Sequence, residues 1–219
     1  AIFRGMGWER HLSQEQSVHD SYRAIKGTDI IPFGIKEIRY VSALTPDTRA
    51  STVPPKLRFI QQRPVVVCQR LVSSRTRVVA ARLPHNVVPI STLTCLCLPP
   101  NSQDFSPFIT CVLNSTFISY YVADHVFLHS RLSTSLDKEY LRSLPIPNPQ
   151  TLDPAIYDSM TILASQLEEI ASSKKEIYVQ PEKMQQLNDL VFKSYGISST
   201  QGRVLNQKLL IFWNRHRTP

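Results

Sequence analysis

The 219-residue sequence is poor in glycine and in cysteine, and one long stretch has no acidic residue at all. Only 6 glycines occur, and none forms a phosphate cradle between a strand and a helix, which excludes the common nucleotide-binding loops. "FRGMG" near the start is followed by no strand-to-helix unit. The four cysteines (Cys68, Cys95, Cys97, Cys111) sit inside hydrophobic runs rather than loops. That excludes a disulfide framework and leads us to expect a reducing, cytoplasmic setting. Cys95, Cys97 and Cys111 with His125 and His129 match no zinc spacing and read as structural thiols and ordinary helix histidines. The most apolar stretch, residues 108–128, contains Asn114, Ser115, Thr116, Asp124 and His125, too polar to cross a membrane. Residues 1–30 lack the basic head and apolar run of a signal peptide. There is no G-x-S-x-G elbow and no H-E-x-x-H pair. Asp137 and Glu139, flanking Lys138, read as a solvated face. The expectation is a chain that binds and does not catalyse.

The missing acid is the most informative absence. Between Asp47 and Asp104 no Asp or Glu occurs, whereas Arg49, Lys56, Arg58, Arg63, Arg70, Arg75, Arg77 and Arg82 do. These eight charges equal the whole net charge of +8. A positive field focused on one region attracts a polyanion. Of the 25 basic residues 16 are arginine, the side chain whose planar fork suits phosphates and guanine edges.

With 42% hydrophobic residues the chain has the makings of a packed core. "DIIPFGIKEIRYVSAL" suggests two short strands around the Pro32–Gly34 break. From 56 to 98 the β-branched runs "LRFIQQ", "PVVVCQRLVSS", "RVVAARLP" and "VVPISTLTCLCL" suggest strands, and "STLTCLCL" reads as one with a buried and a wet face. Ser106-Pro107 then opens what reads as one long buried helix covering the sheet. A short helix, "LDKEYLRSL", with Leu136, Tyr140, Leu141 and Leu144 on one side, should stop where Pro145 pushes Leu144 out of helical geometry. The strip "LPIPNP" has prolines at alternate positions and can only be an edge, a turn or a polyproline seam. Beyond it, Asp153-Pro154 starts a helix whose Ile156, Met160, Leu163, Leu167 and Ile170 form a heptad stripe. Two more helices are expected, one facing inward with Met184, Leu187, Leu190 and Val191 and ending at Gly196, the other with Val204, Leu205, Leu209 and Phe212. The expected fold is α+β: a twisted, mostly antiparallel sheet packed by a long buried helix, then a C-terminal helical region. Two units are expected, residues 1–149 and residues 150–219.

Five short motifs occur in one order: Lys26-Gly27-x-Asp29-Ile30; Pro55-Lys56-Leu57 ahead of the arginine-rich stretch; Leu113-Asn114-Ser115; "YLRSLPIP" from Tyr140 to Pro147; and "LNDLVFKSYGIS" from Leu187 to Ser198. That order resembles the C-terminal target-recognition domain of adenine-specific DNA methyltransferases and single-chain restriction-modification enzymes, and more distantly type I specificity subunits. The resemblance implies a module that reads a short double-stranded DNA sequence. A separate methyltransferase catalytic domain, of the same or a partner chain, would flip out and methylate the adenine. S-adenosylmethionine would belong to that parent enzyme, and no cofactor to this segment. The family's catalytic N/D-P-P-Y/F motif is missing, because Leu98-Pro99-Pro100-Asn101 lacks the leading Asn or Asp and the trailing aromatic. Residues 1–149 would be the recognition domain, and residues 150–219 a helical spacer or docking region.

On this reading the acid-free β region faces DNA. Lys56, Arg58, Arg63, Arg70, Arg75, Arg77 and Arg82 would be shared between phosphates and bases. Gln61, Gln62, Gln69, His85 and Asn86 lie among them, and Gln or Asn can bond adenine with two hydrogen bonds. Arg131 and Ser133, in "HSRLSTS", are secondary candidates. Two other readings stay open: a protein-interaction module with a basic docking face and a helical partner-binding stripe, and RNA binding by the same sheet. Stacking aromatics such as Phe59 are rare in the basic window, which counts against RNA.

Overall fold

The computed structural model describes residues 1–16, 21–42, 55–72, 77–100, 104–126, 134–173 and 180–215. In chain order come β1 (Ile2–Arg4), β2 (Leu12–Ser13), β3 (Ser21–Ile25), β4 (Ile30–Ile31), β5 (Gly34–Ile35) and β6 (Arg39–Ser42). Helix α1 (Pro55–Gln61) precedes β7 (Val65–Gln69), β8 (Leu71–Val72), β9 (Ala80–Arg82), β10 (Val87–Pro89) and β11 (Leu93–Cys97). Then follow α2 (Ser106–Asn114), α3 (Thr116–Tyr121), β12 (Thr134–Ser135), α4 (Lys138–Ser143), α5 (Pro154–Ser172), α6 (Pro181–Ser194) and α7 (Ser199–Arg215). The fold is α+β.

Two four-stranded sheets carry the β layer. One runs β1-β11-β7-β9 and is antiparallel throughout. The other runs β10-β3-β6-β2 and is antiparallel except for β10 beside β3. Strand β11 lies between β1 and β7, and all five of its residues are buried. The wet face expected for "STLTCLCL" is therefore absent. Leu96 joins the core shared with the helices, while Leu93, Cys95 and Cys97 join a second core with Ile25, Ile60 and Val87. Thr94 fits inside because its hydroxyl donates to the Leu136 carbonyl at 3.0 Å.

"LRFIQQ" is a helix and not a strand. Pro55 stands at its first position, and Leu57 and Ile60, three apart, are its buried residues. The single long helix expected from Ser106 is broken. Ser115 is extended (φ −67°, ψ 151°), donates its hydroxyl to the Val112 carbonyl and accepts from the Ile118 N–H, so it ends α2 and caps α3. At the start of α2 it is Asp104, not Ser106, whose side chain takes a free backbone N–H, that of Ser106 at 2.9 Å. One π turn, Val122–Val126, follows α3.

Pro145 stops α4 as expected, with Leu144 extended at ψ 133°. The strip behind it turns tightly, the Ile146 N–H reaching the Leu144 carbonyl at 2.8 Å. Asp153 caps α5 through the Ala155 N–H, and Gly196 takes the left-handed conformation (φ +70°) just after α6. The stripe on α5 packs within the chain, since Met160, Leu163 and Leu167 share one core with Phe108, Val112, Leu187 and Val191. Residues on both sides of Pro149 thus belong to a continuous core. Val204, expected inward, is 49% exposed, and Tyr140, expected on one side with the buried Leu136, Leu141 and Leu144, is 40% exposed.

Three of the quoted motifs contribute polar pins. The Asn114 amide donates to the Ala80 and Thr110 carbonyls and accepts from the Ala80 N–H, fastening α2 to β9. Asn188 does the same between α6 and α3, accepting from the Thr116 N–H and donating to its hydroxyl. Asp29, fully buried, accepts from the Lys26 N–H and from two nitrogens of Arg39. Gly27 beside it has a physical reason: a Cβ there would sit 3.0 Å from the Thr92 carbonyl oxygen.

Candidate nucleic-acid interface

Strands β7, β9, β10 and β11 of the acid-free window are largely buried, whereas Leu71 of β8 is exposed. Among the described residues the window's candidate polar side chains surface at three places: α1 and the residues just after it, the β9–β10 turn, and the far end of β7. The first two meet. Gln61, Gln62, Arg63, Arg82 and His85 line one open groove of about 690 Å³, whose floor and walls include Val65, Leu83 and Pro84. Asn86 adjoins it, next to Gln61, Arg63 and His85. Asn86 has φ +60°, a conformation asparagine tolerates and a β-branched residue does not. His85, Asn86, Gln62 and Arg58 are exposed.

Arg63 sits with its guanidinium carbon 4.1 Å from the centroid of the Phe59 ring. That ring packs edge-on against Phe3 at 6.0 Å, and the Lys56 ammonium lies 5.1 Å from the Phe3 centroid. Lys56 also donates to the Gly5 carbonyl at 3.0 Å, and burial pushes its pKa down. It serves as a tie between α1 and the start of the chain.

Arg82 differs from its neighbours. Both oxygens of Glu168, on α5, accept from its guanidinium, and Asp104 lies 3.8 Å away. The hydrogen bond to Glu168 raises its pKa further, and its charge is matched inside the groove.

Gln69 and Arg70 lie roughly 13 Å along β7 from the groove, four residues at the strand rise. Arg70 donates from Nε to Asp137 at 2.8 Å. Its backbone also receives the Leu136 N–H at 2.7 Å, so it belongs to the joint between β7 and the segment before α4. Arg77 is half-buried and engaged within the chain. Arg75, Arg131 and Ser133 lie outside the described residues.

Sequence reasoning missed Arg23. It lies far outside the acid-free window, yet it is exposed and lines the same groove. The parallel pairing of β10 with β3 aligns Arg23 with Val87, one residue beyond Asn86. No local signal announces a contact made by strands so distant in sequence.

All four cysteines are buried free thiols. Burial pushes the Cys97 thiol up to about 11 and that of Cys68 to about 12, and raises Cys95 and Cys111 as well. Among the described residues no group of three or more His, Cys, Asp or Glu side chains could hold a metal ion, and no helix is long and apolar enough to cross a membrane.

The fold as a whole is similar to part of a solved restriction-modification enzyme. The particular similarity is to the Type IIL restriction-modification enzyme MmeI, solved in complex with DNA. The TM-score is 0.59 at 12% sequence identity, over 98% of this chain and 35% of that one. The chain thus spans about a third of the length of the enzyme it resembles. No protein-family profile and no curated protein matches the sequence.

Proposed function

We propose that the chain is the sequence-specific, double-stranded DNA recognition module of an adenine-specific DNA methyltransferase or restriction-modification enzyme, and that it does no chemistry itself. The observation that carries this reading is the groove. Amide, imidazole and guanidinium groups of an acid-free segment converge there beside Glu168 and Asp104, with Gln62 and His85 exposed and Gln61, Arg63 and Arg82 half-buried, and strand β3 adds the exposed Arg23. Gln61, Gln62 and Asn86 supply the amides that bond adenine edges. Arg23, exposed on the groove, and Arg58, exposed on α1, supply charge for phosphates. The fold shared with an enzyme solved on DNA supports the same partner. S-adenosylmethionine and the catalytic residues belong to the rest of the parent protein.

Binding of the 219-residue chain to a labelled duplex, followed by anisotropy as salt is raised, tests this. The expected result is a log-linear fall in affinity with log salt, of slope about −0.9 for each phosphate contacted. Indifference to duplex DNA at low salt contradicts the proposal. Exposed Ile162 and Val204, on α5 and α7, favour a second role for the helical region, docking against the remainder of the parent protein.

A further inference from the structure

The described arginines sort by where their N–H donors point. Arg82 is held by Glu168, Arg70 by Asp137, Arg39 by Asp29 and Glu37, and Arg4 by the carbonyl and hydroxyl of Ser91. Arg58 is exposed and has neither a stacking ring nor an ion pair among the described residues. Arg63 combines two properties that the others keep apart. Its guanidinium carbon lies over the Phe59 ring, 4.1 Å from the centroid, and its side chain makes no hydrogen bond or ion pair among the described residues. The side chain is half-buried against the groove, with the amides of Gln61 and Gln62 beside it.

A stacked guanidinium keeps its charge and its fork of donors while losing most of its freedom to reorient. Phosphate oxygens can be approached from many directions and gain little from such a fixed plane. A base edge is planar and does gain. In the major groove guanine alone offers two acceptors, O6 and N7, spaced for one arginine fork. We infer that Arg63 reads a guanine in the recognised sequence, that Phe59 is its positioning residue, and that Arg58, unfixed and exposed, contacts phosphate. This assignment rests on the DNA-recognition reading above.

The test is selection of preferred sites from a pool of duplexes with a randomised core, using the 219-residue chain, followed by affinities for the selected site and its single-base variants. Four variants are compared: Arg63→Ala, Arg63→Lys, Phe59→Leu and Arg58→Ala, each checked for unchanged thermal unfolding. The wild type should select a site containing a guanine whose replacement costs on the order of tenfold to a hundredfold in affinity. Arg63→Ala should erase that preference at one position only. Arg63→Lys should erase it too while retaining most binding to unselected DNA, since it keeps charge and loses the fork. Phe59→Leu should weaken the preference at the same position with unselected binding unchanged. Arg58→Ala should weaken all sequences alike and flatten the salt slope by about one. A wild type that selects a site, with Arg63→Ala selecting the same one or losing affinity evenly for every sequence, overturns this assignment alone. A wild type that binds no duplex overturns the recognition reading and this assignment together.

Discussion

Two asparagines mark the two working regions of this molecule. Asn114 is fully buried and makes three hydrogen bonds, two of them to the backbone of Ala80. Asn86 stands exposed in a left-handed turn on the rim of a groove. The first region, the helix layer from α2 through α6 together with the buried Asp29–Arg39 pin, satisfies its polar groups internally, with Asn188 on Thr116 repeating the device. The second presents amide and guanidinium donors outward. Sequence resemblance is carried mostly by the first region, whereas the donors assigned to DNA in the proposed reading lie in the second. A chain can therefore keep the motifs that define its fold while the reading surface varies, and substitutions in the two regions should fail in different assays.

Removing a buried charge's partner should separate them most. Arg39→Leu leaves the Asp29 carboxylate, 1% exposed, without its main counter-charge, and should cost about 3–5 kcal/mol. Urea unfolding should show a lower midpoint with an unchanged slope, and the fraction still folded at low temperature should bind duplex DNA normally. A loss of binding without a loss of stability would blur the two regions.

Asn114→Ala should follow at about 1–3 kcal/mol, because the buried Ala80 N–H loses its partner while the Ala80 carbonyl keeps only the Phe33 N–H. The same unfolding measurement checks it. A cost below 1 kcal/mol would show that the pin does not fasten α2 to β9.

At the border between the regions, Glu168→Gln sharpens the comparison from the other side. The Arg82–Glu168 pair is a fifth to a third exposed, so its loss should cost no more than about 1 kcal/mol. It removes a carboxylate from the groove and releases Arg82 toward a polyanion. Affinity for duplexes of every sequence should rise severalfold, with a salt slope steeper by about one. Unchanged binding would place Arg82 and Glu168 outside the contact surface.

The sequence made the punctuation legible, because the signals are local. Asp153-Pro154 as a cap, Gly196 as a stop and Pro145 as a break all act within a turn or two, and each is where the spacing put it. "LRFIQQ" misled because it is rich in apolar and β-favouring residues, while its helix depends on two buried positions three apart. Ser115 hides a break because a serine inside an apolar helical pattern gives no sign that its hydroxyl will cap a new helix. The wet face expected for "STLTCLCL" failed for a third reason: a central strand covered on both sides can still carry a threonine if that hydroxyl finds a carbonyl. The basic window was legible as composition, but the sorting of its members was not. Whether an arginine meets Glu168 or Asp137 is decided by pairing across the fold, as is the arrival of Arg23 through a parallel strand; the ring of Phe59, four residues before Arg63, is a local partner.

The placement of DNA on the rim can be measured directly, because the native cysteines are buried and their thiols held above the ordinary range. A photo-crosslinker attached to a single new surface thiol, at His85→Cys on the β9–β10 turn or at Val204→Cys on α7, reports which surface touches a bound duplex. Duplex bound at the groove predicts strong crosslinking from position 85 and little from position 204. Crosslinking from 204 with none from 85 would contradict it.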